Sequence, residues 1–155
     1  MTHLAELLAS ERPALVETVF AGVRHGNTGH YRACDVRVVR ARIERLVDRA
    51  VSAISGDPRE FAAYVRGITI ERVREGYHLD EIQRVLSVLE AKGWEISAHR
   101  IPDRGELLRA LSLLTETIGL AKDELARVYL EESLRATGDV ARLEARIERL
   151  MSGTV

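Results

Sequence analysis

Along almost the whole chain, apolar residues recur three and four positions apart, and the alternation of a strand is nearly absent. Such spacing puts them on one face of a helix, so the pattern predicts an all-α fold. In the first segment, Thr2 to about Arg24, Leu4, Leu7 and Leu8 are followed by Leu15, Val16, Val19, Phe20 and Val23. Ser10 and Pro13 lie between the two groups and mark a break or restart, because proline fits a helix only in its first turn. HGNTGHYRAC, residues 25–34, holds two glycines and an asparagine and reads as a loop. Asp35 then caps a second helix by accepting from its free first-turn amides. The buried stripe of that helix is Val36, Val39, Ile43, Leu46, Val47, Ala50 and Ile54.

SGDPRE, residues 55–60, is the clearest punctuation: Asp57 as N-cap, Pro58 in the first helical position, Glu60 three residues after the cap. Phe61, Tyr64, Val65, Ile68 and Val73 suit the inner side of this third helix, and Gly76 supplies the left-handed conformation that ends it. The fourth helix starts at Leu79 and carries Ile82, Leu86, Leu89, Gly93 and Ile96 at alternating steps of three and four, with Asp80 and Glu81 where the helix dipole favours negative charge. HRIPDRGE follows, with Asp103 and Glu106 in a capping-box pattern.

The fifth helix repeats Leu107, Leu111, Leu114, Ile118, Ala121, Leu125 and Val128 and is expected to run to Gly138. Its length, about 50 Å at 1.5 Å per residue, exceeds what a domain of this size needs, so part of it is expected to project or to pair with another chain. After TGD a short last helix holds Val140, Leu143, Ile147 and Leu150 at heptad spacing among Arg and Glu. The boundaries expected are one helical domain over residues 1–137 and a short helical extension over 138–155. Leu111, Leu114, Ile118, Ala121, Leu125 and Val128 line either the core or a dimer seam, and periodicity does not separate the two. A seam becomes the better reading towards the C-terminal half.

Composition narrows the function. A chain of 155 residues with 46% apolar and 30% charged residues is that of one ordinary globular domain. Its net charge of −1 lacks the cationic surplus of a nucleic-acid binder. The apolar runs are too short to span a bilayer, the N-terminus is broken by Glu6, Glu11 and Arg12, and Cys34 is the single cysteine. A cytoplasmic protein without membrane or nucleic-acid partners is the expectation.

Catalytic chemistry finds no foothold. His3, His25, His30, His78 and His99 with Cys34 do not make up the ligand set of a structural zinc site at its usual spacing, so no metal is expected. His99 is the nominal proximal ligand for a haem, against the plainer role of a cation near a helix C-terminus. Cys34 at a helix start has Asp35 beside it, which opposes thiolate formation, and no base is assignable. The glycines of HGNTGH precede no Lys-Ser or Lys-Thr pair, so there is no phosphate loop. No catalytic residue, metal ligand or cofactor is assigned. Trp94, which follows Gly93, and Tyr77 are the candidate pocket wall, with a core or interface anchor as the alternative.

The stretch FAAYVRGITIERVREGYHLDEIQRVLSVLEAKGWEI, residues 61–96, has a helix ending in an Arg-Glu-Gly turn, then Leu, an acidic pair, an aliphatic stripe and a Trp. It resembles the N-terminal domain of RsbR-type stressosome sensor proteins, over roughly residues 10–130. The resemblance implies a globin-like helical bundle of five to six helices that generally lacks haem, forms dimers and serves as a regulatory input through a long helix. In that family an output domain commonly follows. Here the chain stops at Val155, which fits an isolated sensory domain or a regulator acting through its dimer and a separate protein partner.

The reading that follows is a non-enzymatic, homodimeric sensory domain in bacterial stress signalling. Its alternatives are a globin-like sensor that binds haem or another small molecule, and a helical interaction scaffold without a ligand.

Overall fold

A computed structural model describes residues 3–25 and 33–152, the Leu150 and Ser152 side chains excepted. Among these residues there are six helices and no strand: α1 (His3–Ser10), α2 (Arg12–His25), α3 (Val36–Ser55), α4 (Pro58–Arg74), α5 (Leu79–Arg100) and α6 (Arg104–Ser152). The predicted all-α bundle with a long last helix is the observed architecture. His30 and most of the loop read between the first two segments lie outside the described residues.

Local chemistry sets most boundaries. The chain breaks at Glu11, and Pro13 falls in the first turn of α2, where its missing N–H costs nothing. The Asp35 carboxylate accepts from the Arg37 amide at 2.8 Å, and Asp57 from the Arg59 amide at 2.9 Å. Both carboxyls are held below their ordinary range: Asp35 first by that amide, Asp57 first by the Arg59 guanidinium. α4 closes on Gly76, whose φ of 89° is left-handed. The Tyr77 amide donates to the Arg72 carbonyl at 2.9 Å and the Gly76 amide to that of Val73 at 3.0 Å, satisfying two end carbonyls. Asp103 accepts from the Glu106 amide at 2.7 Å and starts α6.

α4 and α6 form the most extensive helix pair, and α5 packs along the same N-terminal half of α6. Phe61, Val65, Leu86, Ile118, Leu125 and Val128 are fully buried at this junction, and α2 and α3 complete the core with Leu15, Val19, Val39 and Val47. Each such side chain contributes about 1.5–3 kcal/mol on leaving water. Val36, assigned to the buried stripe of α3, is exposed in its first turn; Val39 is the first residue of that stripe to be covered.

The expected break at Gly138 is absent, and α6 runs unbroken for 49 residues, about 73 Å at 1.5 Å per residue. A glycine costs a helix about 1 kcal/mol relative to alanine, too little to stop one that Leu134, Arg135 and Ala136 lead into and Ala141, Arg142 and Leu143 carry on. Thr137 returns its hydroxyl to the Ser133 carbonyl at 3.0 Å, and Asp139 pairs with Arg142 at 3.4 Å, so neither competes for the backbone amides of a new cap.

Candidate functional site

Two features stand out from the packed core: the C-terminal half of α6, and a cleft between α3, α4 and α5. α6 changes environment along its length. Leu114, Ile118, Ala121, Leu125 and Val128 are buried in the protomer core and Leu111 is half-buried, while Ala110 and Thr117, which the apolar spacing does not single out, are buried too. Arg66 of α4 fastens this half from outside, reaching Glu124 at 3.1 Å and Glu131 at 2.9 Å. Lys122 meets Glu90 of α5 at 2.7 Å, and Arg74 meets Glu132 at 3.7 Å.

Beyond Glu132 the protomer no longer covers the helix. Val140, Leu143 and Ile147 are exposed, Leu143 at 60%, as are Leu130, Leu134 and Met151. Leu143 lies about five turns beyond Leu125 and shares its azimuth at 3.6 residues per turn. One apolar face therefore runs along α6, covered by the protomer's own helices as far as Val128 and uncovered from Val140.

The cleft has a volume of about 360 Å³, at the small end of ligand sites. Its floor is apolar, with Ile43, Leu46, Val65 and Leu86, and Tyr64 and Ile68 stand half-buried at its sides. Arg42, Arg45, Arg72 and Glu71 edge it. Gly67 lies in its wall, where a Cβ would meet no atom within 4 Å. Arg72 is only 7% exposed; its Nη1 meets Glu75 at 2.8 Å and its guanidinium stands 5.7 Å from the Tyr77 ring centre. Arg42 approaches Glu75 at 3.7 Å and donates to the Tyr77 hydroxyl at 3.4 Å. The Arg49 guanidinium lies 5.8 Å from the centre of the Tyr64 ring. Burial pushes the Tyr64 phenol up, against the opposing pull of Arg45, Arg49 and Arg72.

The residues singled out as a pocket wall are not brought together there. Trp94 is 45% exposed on the outer face of α5, since Gly93 takes the inward position and the next residue turns about 100° away. Tyr77 is buried outside the cleft, its hydroxyl 3.0 Å from Cys34 Sγ. His99 is exposed with Nδ1 2.8 Å from the Glu95 carbonyl, the helix-end arrangement rather than a pocket-facing ligand. His3 Nδ1 meets Glu106 at 2.7 Å, and His25 Nδ1 lies 2.9 Å from the Ala21 carbonyl. His78 is the N-cap of α5, with its amide donating to Glu81 at 3.0 Å, a reciprocal cap missed because histidine is an unusual residue there. Among the described residues no three His, Cys, Asp or Glu side chains gather as a metal site, and no helix is long and apolar enough to cross a membrane.

No curated protein and no solved structure matches this chain. The model of the RsbT co-antagonist protein rsbRD N-terminal domain does match it, over residues 13–143, from the first turn of α2 into the projecting half of α6. The chain belongs to that family, the N-terminal domains of stress-signalling regulators.

Proposed function

We propose that this is a non-enzymatic, homodimeric sensory domain with a globin-like arrangement of helices, acting in the cytoplasm and passing a ligand or partner signal along α6. The observation that carries the reading is the apolar face of α6, which is core as far as Val128 and bare at Val140, Leu143 and Ile147. In heptad terms Val140 and Ile147 take a positions and Leu143 and Leu150 take d positions. β-Branched residues at a with leucine at d favour a parallel two-stranded coiled coil.

Such a seam couples two sites without chemistry. A ligand or protein that binds one packing of α4 against α6 more tightly than another shifts the balance between them, and two continuous helices side by side carry the shift to their C-terminal ends. A regulatory protein or output domain there would read the spacing or register of the pair.

The deciding experiment is sedimentation equilibrium at micromolar concentration. A dimer that dissociates on Leu143→Glu with unchanged helicity supports the reading. A wild-type chain that stays monomeric removes it.

A further inference from the structure

The cleft between α3, α4 and α5 has a composition that ordinary core packing does not explain. Tyr64 and Ile68 follow the core spacing of α4 yet are left half-buried, and Gly67 between them leaves space open where any other residue would fill it. Over this apolar floor stand the guanidiniums of Arg42, Arg45 and Arg72, with Arg49 beside Tyr64. Glu71 and Glu75 are the carboxylates among them, so four cations face two anions.

Two of the cations are also held in place. Glu75 and Tyr77 tether Arg42 and Arg72 from behind, which leaves further N–H groups of each planar guanidinium unused. Arg45 has no ion-pair partner among the described residues. A fixed guanidinium pair beside a freely placed third suits a carboxylate, which accepts two parallel N–H bonds. The two carboxylates already on the rim disfavour a multiply charged guest.

We propose that this cleft binds a small amphipathic monoanion, a carboxylate on an apolar chain or ring, with the apolar part between Tyr64 and Ile68 over Ile43 and Leu46 and the head group at Arg45, Arg42 and Arg72. The site does not depend on dimerisation. It lies one helix away from α6: α4 forms the cleft wall with Gly67 and Ile68, packs along α6 and grips it through Arg66. An occupied cleft would hold α4 outward against the helix that carries the seam.

Isothermal titration calorimetry of the whole chain with decanoate, naphthalene-2-carboxylate and decyltrimethylammonium, each below its aggregation concentration, tests the site. At least one carboxylate is expected to bind once per chain, and the cation at least about tenfold more weakly, the worth of a charge-assisted contact. Arg45→Glu should weaken that carboxylate about tenfold or more. Gly67→Leu should abolish binding while circular dichroism and Tm show a chain at least as well folded as the wild type. No binding by either carboxylate, equal binding of the cation, or carboxylate binding untouched by Gly67→Leu in a folded chain each overturns the assignment.

Discussion

Gly93 of α5 faces Leu114 of α6 so closely that a Cβ at position 93 would lie 2.7 Å from Leu114 Cδ2. The missing side chain is what lets the two helices meet, and with position 93 turned inward the helix period places Trp94 on the outer face. Leu114 is itself buried and has little room to turn away.

Gly93→Ala is therefore expected to destabilise the chain by about 1–3 kcal/mol, the usual penalty for an overfilled core. Gly67 is the matched control, also helical but with open space at its Cβ. Gly67→Ala should gain about 0.5–1 kcal/mol from helix propensity alone. Urea denaturation of the two variants should move the midpoint in opposite directions. A shift of the same sign in both contradicts the close approach.

Leu125 and Leu143 share a helix face but not an environment, and the same charge placed at each separates core from seam. Leu125 is 1% exposed, so Leu125→Glu buries an unpaired carboxylate and should cost the fold itself, seen as lost helicity. Leu143→Glu should keep the helicity and the monomer's melting while halving the mass found by light scattering.

A parallel seam with this heptad register has an unfavourable rim. Asp139 at g would face Glu144 at e of the other helix, a like-charged pair. Salt screens that repulsion, so raising ionic strength should tighten the dimer, whereas an assembly held by ion pairs would loosen. Sedimentation at low and high salt reads the sign. Loosening would point to an antiparallel or ion-paired contact.

Asp48 links α3 to the start of α2 through Arg12, at 2.5 Å to Nε and 3.0 Å to Nη2. That hydrogen-bonded pair holds the Asp48 carboxyl below its ordinary range, with burial opposing it. A depressed folded-state pKa contributes stability above the unfolded value, near pH 4, which is lost as pH falls through the folded value. Asp48 is 53% exposed, so the pair is worth no more than about 1 kcal/mol at neutral pH. Asp48→Asn should lower Tm slightly at pH 7 and make the decline in Tm below pH 4 shallower, which a Tm series from pH 7 to pH 3 would show.

Legibility followed the range of the interaction. Asp35, Asp57 and Asp103 were readable as caps and Gly76 as a stop because each acts within a few residues of itself. The continuity of α6 was not, since Gly138 breaks or bends a helix only when its neighbours give it an alternative. Tyr64 and Ile68 carried core spacing, but whether a third helix covers them is decided by the α3 and α5 placements, so a cleft wall read as core. The burial of Arg72 and Glu81 was not readable although each has a partner only three residues away, Glu75 and His78, because residue type alone argues for exposure. The stripe of α6 had one period for two environments, and only the observed cover up to Val128 distinguishes them.

Gly138 lies where the protomer has released α6 and before the bare face begins, and a Cβ there would meet nothing within 4 Å. Substitutions at this position act on the projecting helix without touching the core. Gly138→Ala should stiffen it and, by about 1 kcal/mol per chain, favour any assembly that needs it straight. Gly138→Pro should remove the hydrogen bond that the amide at 138 donates to the Leu134 carbonyl and kink the helix at a cost of about 3 kcal/mol. If α6 carries the signal as a continuous rod, the proline variant keeps the unfolding midpoint of the core, loses dimerisation and uncouples whatever reads the C-terminal end. A proline variant that dimerises as tightly as the wild type would place the contact between copies on the globular body, and the bare face of α6 would then need another occupant.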